Sequence, residues 1–129
     1  MARAADTNVI VRLIARDDPK QLALALAAAS SGLWVSHVVL VEAAWVLEST
    51  YGRERRDIAT ALELLLGHPD LTVQDPDVVR AAIALFRGHR GVDFADCLIL
   101  EVARKAGHGP LLTFDRAFGK MDGVQRLSR

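Results

Sequence analysis

Between Lys20 and Glu42 lie 21 residues without a single Asp, Glu, Lys or Arg. A run of that length is long enough to span a bilayer as one helix. Its interior forbids that reading. Ser30-Ser31-Gly32 breaks it near the middle, and Ser36-His37 follows. The run therefore divides into a buried helix, a turn and a buried strand. The rest of the chain must supply elements that cover both.

Those elements follow from the pattern. Arg3 to Ala5 reads as a short strand ending at Asp6, and Thr7 to Ala15 as a helix. Asp17-Asp18-Pro19 is a start signal for a second helix. Its Leu22, Leu24, Leu26 and alanines make it apolar nearly all round, which predicts burial. Leu33 to Val35 is a strand. Helices cover Val38 to Tyr51 and Glu54 to Leu66, split at Gly52. Leu71 to Val73 is a strand, and Asp75-Pro76 opens a helix reaching Phe86. Asp93 opens another, running to Ala106 and stopped by Gly107. A strand at Leu111 to Phe114, ending at Asp115, a short helix at Arg116 to Gly119 and a strand at Val124 to Leu127 close the sequence. Strands alternating with helices predict an α/β class with a mainly parallel sheet. With 129 residues, 51% of them hydrophobic, and no linker or repeat, a single domain over 1–129 is expected.

Composition removes several function classes. Sixteen basic residues balance sixteen acidic ones, which argues against a uniformly basic surface for nucleic acid. One cysteine, Cys97, rules out an internal disulfide and a multi-cysteine zinc site. The opening Met1 to Asp6 lacks the apolar core of a signal peptide, so a soluble, cytoplasmic protein is expected.

In open parallel sheets, sites form beyond the carboxyl ends of strands. That directs attention to Asp6, Ser36 and Asp115. Most other acids have plain roles. Asp17, Asp18, Asp75 and Asp77 stand at helix starts, and Glu54, Asp57 and Glu63 interleave with arginines. Four acids do not fit. Asp96 and Glu101 interrupt an apolar helix about 140° apart; Glu101 shares its side with Arg104, Lys105 and His108 and reads as ordinary surface, while Asp96 falls on the side of Leu100 and Ala103. Glu42 lies among Val38, Val39, Trp45 and Val46. Asp6 and Asp115 end apolar strands. Buried unpaired carboxylates are costly and seek a partner. No matching buried Lys or Arg accompanies them, so a divalent cation is the economical partner. Oxygen-only donors favour magnesium, manganese or calcium over zinc, and an open site acting on phosphates suits magnesium or manganese. The alternative is a set of separate caps and surface groups.

Asp6-Thr7-Asn8, Glu42, Asp93-Phe-Ala-Asp96-Cys-Leu-Ile and Thr113-Phe-Asp115 together resemble the PIN-domain family, most closely the VapC-type toxin ribonucleases of VapBC toxin–antitoxin systems. The resemblance covers essentially the whole chain. It implies a three-layer αβα fold whose central, mainly parallel sheet has about five short strands. It implies an endoribonuclease dependent on Mg2+ or Mn2+ that cuts transfer or ribosomal RNA and inhibits translation. It implies a homodimer and a cognate VapB-like antitoxin, with no membrane partner. Carried over by position, Asp6, Glu42, Asp96 and Asp115 are the catalytic and metal-binding acids. Asp93 is either a fifth metal acid or the cap of its helix, with Asp96 completing a capping box.

Water activated by the metal would attack the phosphodiester and leave 5′-phosphate and 3′-hydroxyl ends. Thr7, Asn8, Ser36 and Thr113 are candidates to orient the acids, and Thr7 and Ser36 also suit helix caps. Arg116, and the basic loop Arg87, His89 and Arg90, are candidate RNA contacts. His37 follows a strand but reads as a structural histidine. The competing function is a catalytically inactive PIN-like module that binds RNA or protein. Phosphate-handling relatives of similar topology want paired acids or Asp-x-Asp after the first strand, and Asp6-Thr7-Asn8 supplies neither. With metal at the acids, the working surface is more positive than the neutral sum suggests.

Overall fold

A computed structural model describes residues 2–128. The chain packs as two compact units, one ending at Pro76 and the other beginning at Asp77. The first holds β1 (Arg3–Ala4), α1 (Thr7–Ala15), α2 (Pro19–Ala29), β2 (Leu33–Val35), α3 (His37–Ser49), α4 (Arg55–Gly67) and β3 (Leu71–Val73). The second holds nearly all of α5 (Pro76–Gly88), then α6 (Phe94–Ala106), β4 (Leu111–Thr113), a 3₁₀ turn at Phe118–Lys120 and β5 (Val124–Arg126). The class is the expected α/β, and every strand pairing is parallel. β1, β2 and β3 pair in that order, with Leu33 opposite Arg3 and Leu71. β4 and β5 pair separately, with Leu111 opposite Val124.

The helix boundaries follow from capping chemistry. Asp18 accepts a hydrogen bond from the Gln21 N–H at 3.0 Å, with Pro19 opening α2. Ser36 caps α3 through the Val39 N–H at 3.2 Å. Gly107 ends α6 at φ 82°, the left-handed turn that glycine adopts without a Cβ penalty. Asp17 is not the cap expected of it. Its carboxylate takes a 2.9 Å ion pair from Arg12 and a 2.8 Å hydrogen bond from the Tyr51 hydroxyl, while Arg12 also donates to Tyr51. The Tyr51 hydroxyl, with Arg12 adding its charge, holds the Asp17 carboxyl below its ordinary range. This network ties the end of α1 to the turn after α3.

In the first unit Ile10, Val11, Val35, Leu40, Leu47 and Leu62 are essentially sealed from solvent. In the second, Val79, Ile83, Cys97 and Leu100 are, and Phe86 meets Phe94 edge to face at 6.0 Å. Cys97 behaves as the small buried hydrophobe its neighbours imply. One expectation fails. α2 is not buried: only Ala25 and Ala29 are covered, and Leu24 is 72% exposed. Apolar residues on all sides do not reveal how many sides have a neighbour. Trp45, 66% exposed, also stands outside the core.

Leu47→Ala is expected to cost about 2–5 kcal/mol by urea denaturation, because it leaves a cavity in a sealed site. Trp45→Ala is expected to stay within about 0.5 kcal/mol, as for an exposed side chain. Equal losses would contradict this assignment of core and surface.

Candidate active site

Asp6 is the N-cap of α1, two residues after β1, extended at φ −82°, ψ 163°. Its Oδ1 accepts from the Thr7 N–H at 2.7 Å, and Thr7 itself is buried. Ser36 occupies the same cap position between β2 and α3. Because β1 and β2 are parallel neighbours, Asp6 and Ser36 stand at one carboxyl edge of the three-stranded sheet. Glu42 lies further along α3 and is exposed, beside Val38 and Trp45, which are also exposed. Its apolar stripe is real, but it faces outward. The burial expected for Glu42 from its neighbours is therefore not found. Asp6 and Asp115 are exposed as well, because each stands where the chain leaves its strand.

The second unit gathers acids more tightly. Asp115 follows β4. Its Oδ2 accepts from the Phe118 N–H at 2.7 Å, and its own N–H donates to Thr113 Oγ1 at 3.1 Å. Asp93 holds the cap position of α6 in extended conformation, yet its carboxylate makes no cap hydrogen bond. The capping-box alternative for Asp93 and Asp96 therefore has no bond behind it. Asp96, in the first turn of α6, is half-buried. Burial first, then the charges of Asp93 and Asp115, push its carboxyl above the usual range. These acids therefore feel one another, and no salt bridge among the described residues neutralises them.

The cations of the last turn of α6 are engaged with other acids. Arg104 pairs with Glu101 at 2.8 Å and also donates to the Asp122 carbonyl. Glu101 is thus a covered, paired acid rather than open surface. Lys105 pairs with Asp77 at 3.2 Å. The donor set of Asp93, Asp96 and Asp115 consists of hard oxygens with uncompensated charge, which fits a magnesium-class cation. Among the described residues no three His, Cys, Asp or Glu side chains are drawn together as a formed metal site. The chemistry of the donors fits, although the side chains as placed do not form a closed site.

The other candidates separate clearly. Thr113 orients Asp115 through its hydroxyl, and Thr7 supports Asp6 through its backbone N–H. Asn8 is exposed on α1 and lines a cavity with Gln21 and Leu24, with no hydrogen bond to an acid. His37 is structural: its Nε2 meets the Gln74 carbonyl at 2.8 Å, and its N–H donates to Gln74 Oε1 at 3.0 Å. Arg116 and Arg90 are exposed. Sequence periodicity placed Phe114 in the strand. β4 instead ends at Thr113, and the Phe114 ring stands in solvent. The signal available was its place one residue before a strand-end acid.

A family model described as the PIN domain matches residues 4–124. The chain is also 30% identical, over 121 residues, to a protein named VapC ribonuclease from Aquifex aeolicus (strain VF5). That match covers 90% of this chain and 89% of the relative.

Since its folded form binds protons at Asp96 more readily than the unfolded chain, ionising Asp96 opposes folding. Stability from this group is therefore expected to fall as pH rises from the ordinary aspartate value of 3.8 through its raised folded value. In metal-free buffer, Asp96→Asn is expected to melt higher than the wild type at neutral pH. The difference should close below pH 3.8, where both states are protonated. A gap of constant size across the titration would contradict the repulsion.

Proposed function

Because this chain belongs to the PIN-domain family, we propose that it is a metal-dependent endoribonuclease, the toxin of a type II toxin–antitoxin pair. The observation that carries the reading is the uncompensated group Asp93, Asp96 and Asp115, inside a stretch that the family match covers. The relative's name, VapC ribonuclease, supplies the reaction class. RNA is the substrate in this reading, with transfer or ribosomal RNA as the target whose loss inhibits translation.

In this proposal Asp6, Glu42, Asp96 and Asp115 are the metal-binding and catalytic acids. Asp93 is a fifth acid, supported by its lack of a cap bond. Mg2+ or Mn2+ bound to such carboxylates supplies a water of lowered pKa and offsets charge on the phosphate. The chain's own residues set the geometry. The Phe118 N–H holds one oxygen of Asp115, leaving the other to bind. Thr113 fixes the turn that carries it, and the Thr7 N–H does the same service for Asp6. Arg116, exposed beside Asp115, is placed to meet a substrate phosphate.

Exposed Leu24, Val38, Trp45 and Leu64 support further partners, a second copy of the chain and a VapB-like antitoxin. A cavity of about 580 Å³ lined by Leu13, Ile14, Leu26, Leu64 and Leu65 gives an apolar segment a place to lie. No helix among the described residues is long and apolar enough to cross a membrane. The proposed location is the cytoplasm, with the RNA.

Purified protein is expected to cut total RNA with Mg2+ or Mn2+ and to stop on chelation, leaving 5′-phosphate ends. Asp6→Asn and Asp96→Asn are each expected to lower the rate about a thousandfold, corresponding to several kcal/mol of transition-state stabilisation. Cleavage that survives chelation or either substitution would contradict the reading. RNA binding without cleavage under either metal would return the alternative, an inactive PIN-like module.

A further inference from the structure

We propose that Phe114, flanked by Arg116 and Arg126, forms a stacking platform that grips one unpaired base of an RNA strand beside Asp115. The inference deepens the ribonuclease reading and rests on it.

Phe114 is 78% exposed, the most exposed large hydrophobic side chain among the described residues. Its exposure is not that of a loose loop, because the backbone beneath it is held from several directions. The Asp115 N–H donates to Thr113 Oγ1 at 3.1 Å, and the Leu127 N–H donates to the Thr113 carbonyl at 2.6 Å. The Asp115 carboxylate takes the Phe118 N–H, and Arg126 Nε–H reaches the Phe114 carbonyl at 3.4 Å. The chain therefore holds an aromatic ring in water on a fixed turn, next to a proposed metal acid.

The charges around it suit the same ligand. Arg116 and Arg126 are exposed, and neither has a carboxylate partner among the described residues. Gly119 lets the Arg126 stem pass close, since a Cβ there would lie 2.6 Å from the Arg126 Cβ. Substrate phosphate approaching Asp93, Asp96 and Asp115 meets repulsion from three carboxylates. The charges of Arg116 and Arg126 offset it. An exposed ring with one cation two residues along the chain and another bonded to the Phe114 carbonyl matches single-stranded RNA, whose bases are open to stacking and whose phosphates follow each base. Bases within a duplex are already stacked and do not present that face.

The test uses the full chain carrying Asp96→Asn, so that RNA is bound and not cut. Its affinity for a labelled single-stranded RNA, and for copies with one base removed at successive positions, is read by fluorescence anisotropy. Phe114→Ala is expected to weaken binding about tenfold, as loss of one base–aromatic stack does. Phe114→Leu, which keeps apolar surface without a π-face, is expected to weaken it similarly, and Phe114→Trp to restore it. With the gripped base removed, the variants should bind alike. Melting temperatures should be unchanged, since the ring is exposed.

Equal affinity of the Ala, Leu and Trp variants for intact RNA would overturn the proposal, as would wild-type affinity in Phe114→Leu. So would a changed oligomeric state in Phe114→Ala with RNA binding intact, which would make the ring a protein contact. Cleavage by the chain with native Asp96, run in parallel, separates the two readings. Metal-dependent cleavage without a ring effect overturns the platform alone. A ring effect without cleavage overturns the ribonuclease reading alone. Absence of RNA binding overturns both.

Discussion

Strands of two or three residues, paired only in parallel, are the constraint that shapes this chain. So few ladder hydrogen bonds cannot hold a strand in water without covering helices. Each strand must therefore hand over almost at once to a helical turn, and the residue at the junction must satisfy free N–H groups. Asp6, Ser36 and Asp115 all do so. Where the cap is a carboxylate, one oxygen serves the backbone and the other stays available. Structural need thus places acids at the carboxyl ends of strands, where α/β proteins bind ligands.

Asp96 adds what capping does not explain. It sits within α6, partly withdrawn from water, and faces the charges of Asp93 and Asp115. The ion pairs of the last turn of α6 engage other acids, Arg104 with Glu101 and Lys105 with Asp77. The negative group is left for something from solution. In the proposed function a divalent cation would reconcile folding with function, because binding it would remove a repulsion that folding created.

The sequence carried the fold well, since periodicity and caps mark boundaries locally. Leu33–Val35, Leu71–Val73 and Thr7–Ala15 fall where their patterns place them. What the pattern could not carry was which apolar faces have neighbours. Leu24 on α2 and Val38 beside Glu42 look like core in one dimension and face solvent in three. The same ambiguity misread the acids. Apolar neighbours suggested burial for Asp6, Glu42, Asp96 and Asp115, yet only Asp96 is partly covered. Position in the motif, rather than burial, is what marked the others. Phe114 went unread because hydropathy assigns any apolar residue after a strand to that strand.

The most direct test is the titration of the Asp96 carboxyl itself, followed by carbon-detected NMR with and without saturating Mg2+. Without the cation, its pKa is expected above that of an ordinary aspartate, through burial and the charges of Asp93 and Asp115. With Mg2+ it is expected to fall well below its metal-free value, because a bound cation favours the ionised form. An ordinary pKa in the absence of metal, or one that does not move when Mg2+ is added, would contradict the claim that these acids form a cation site.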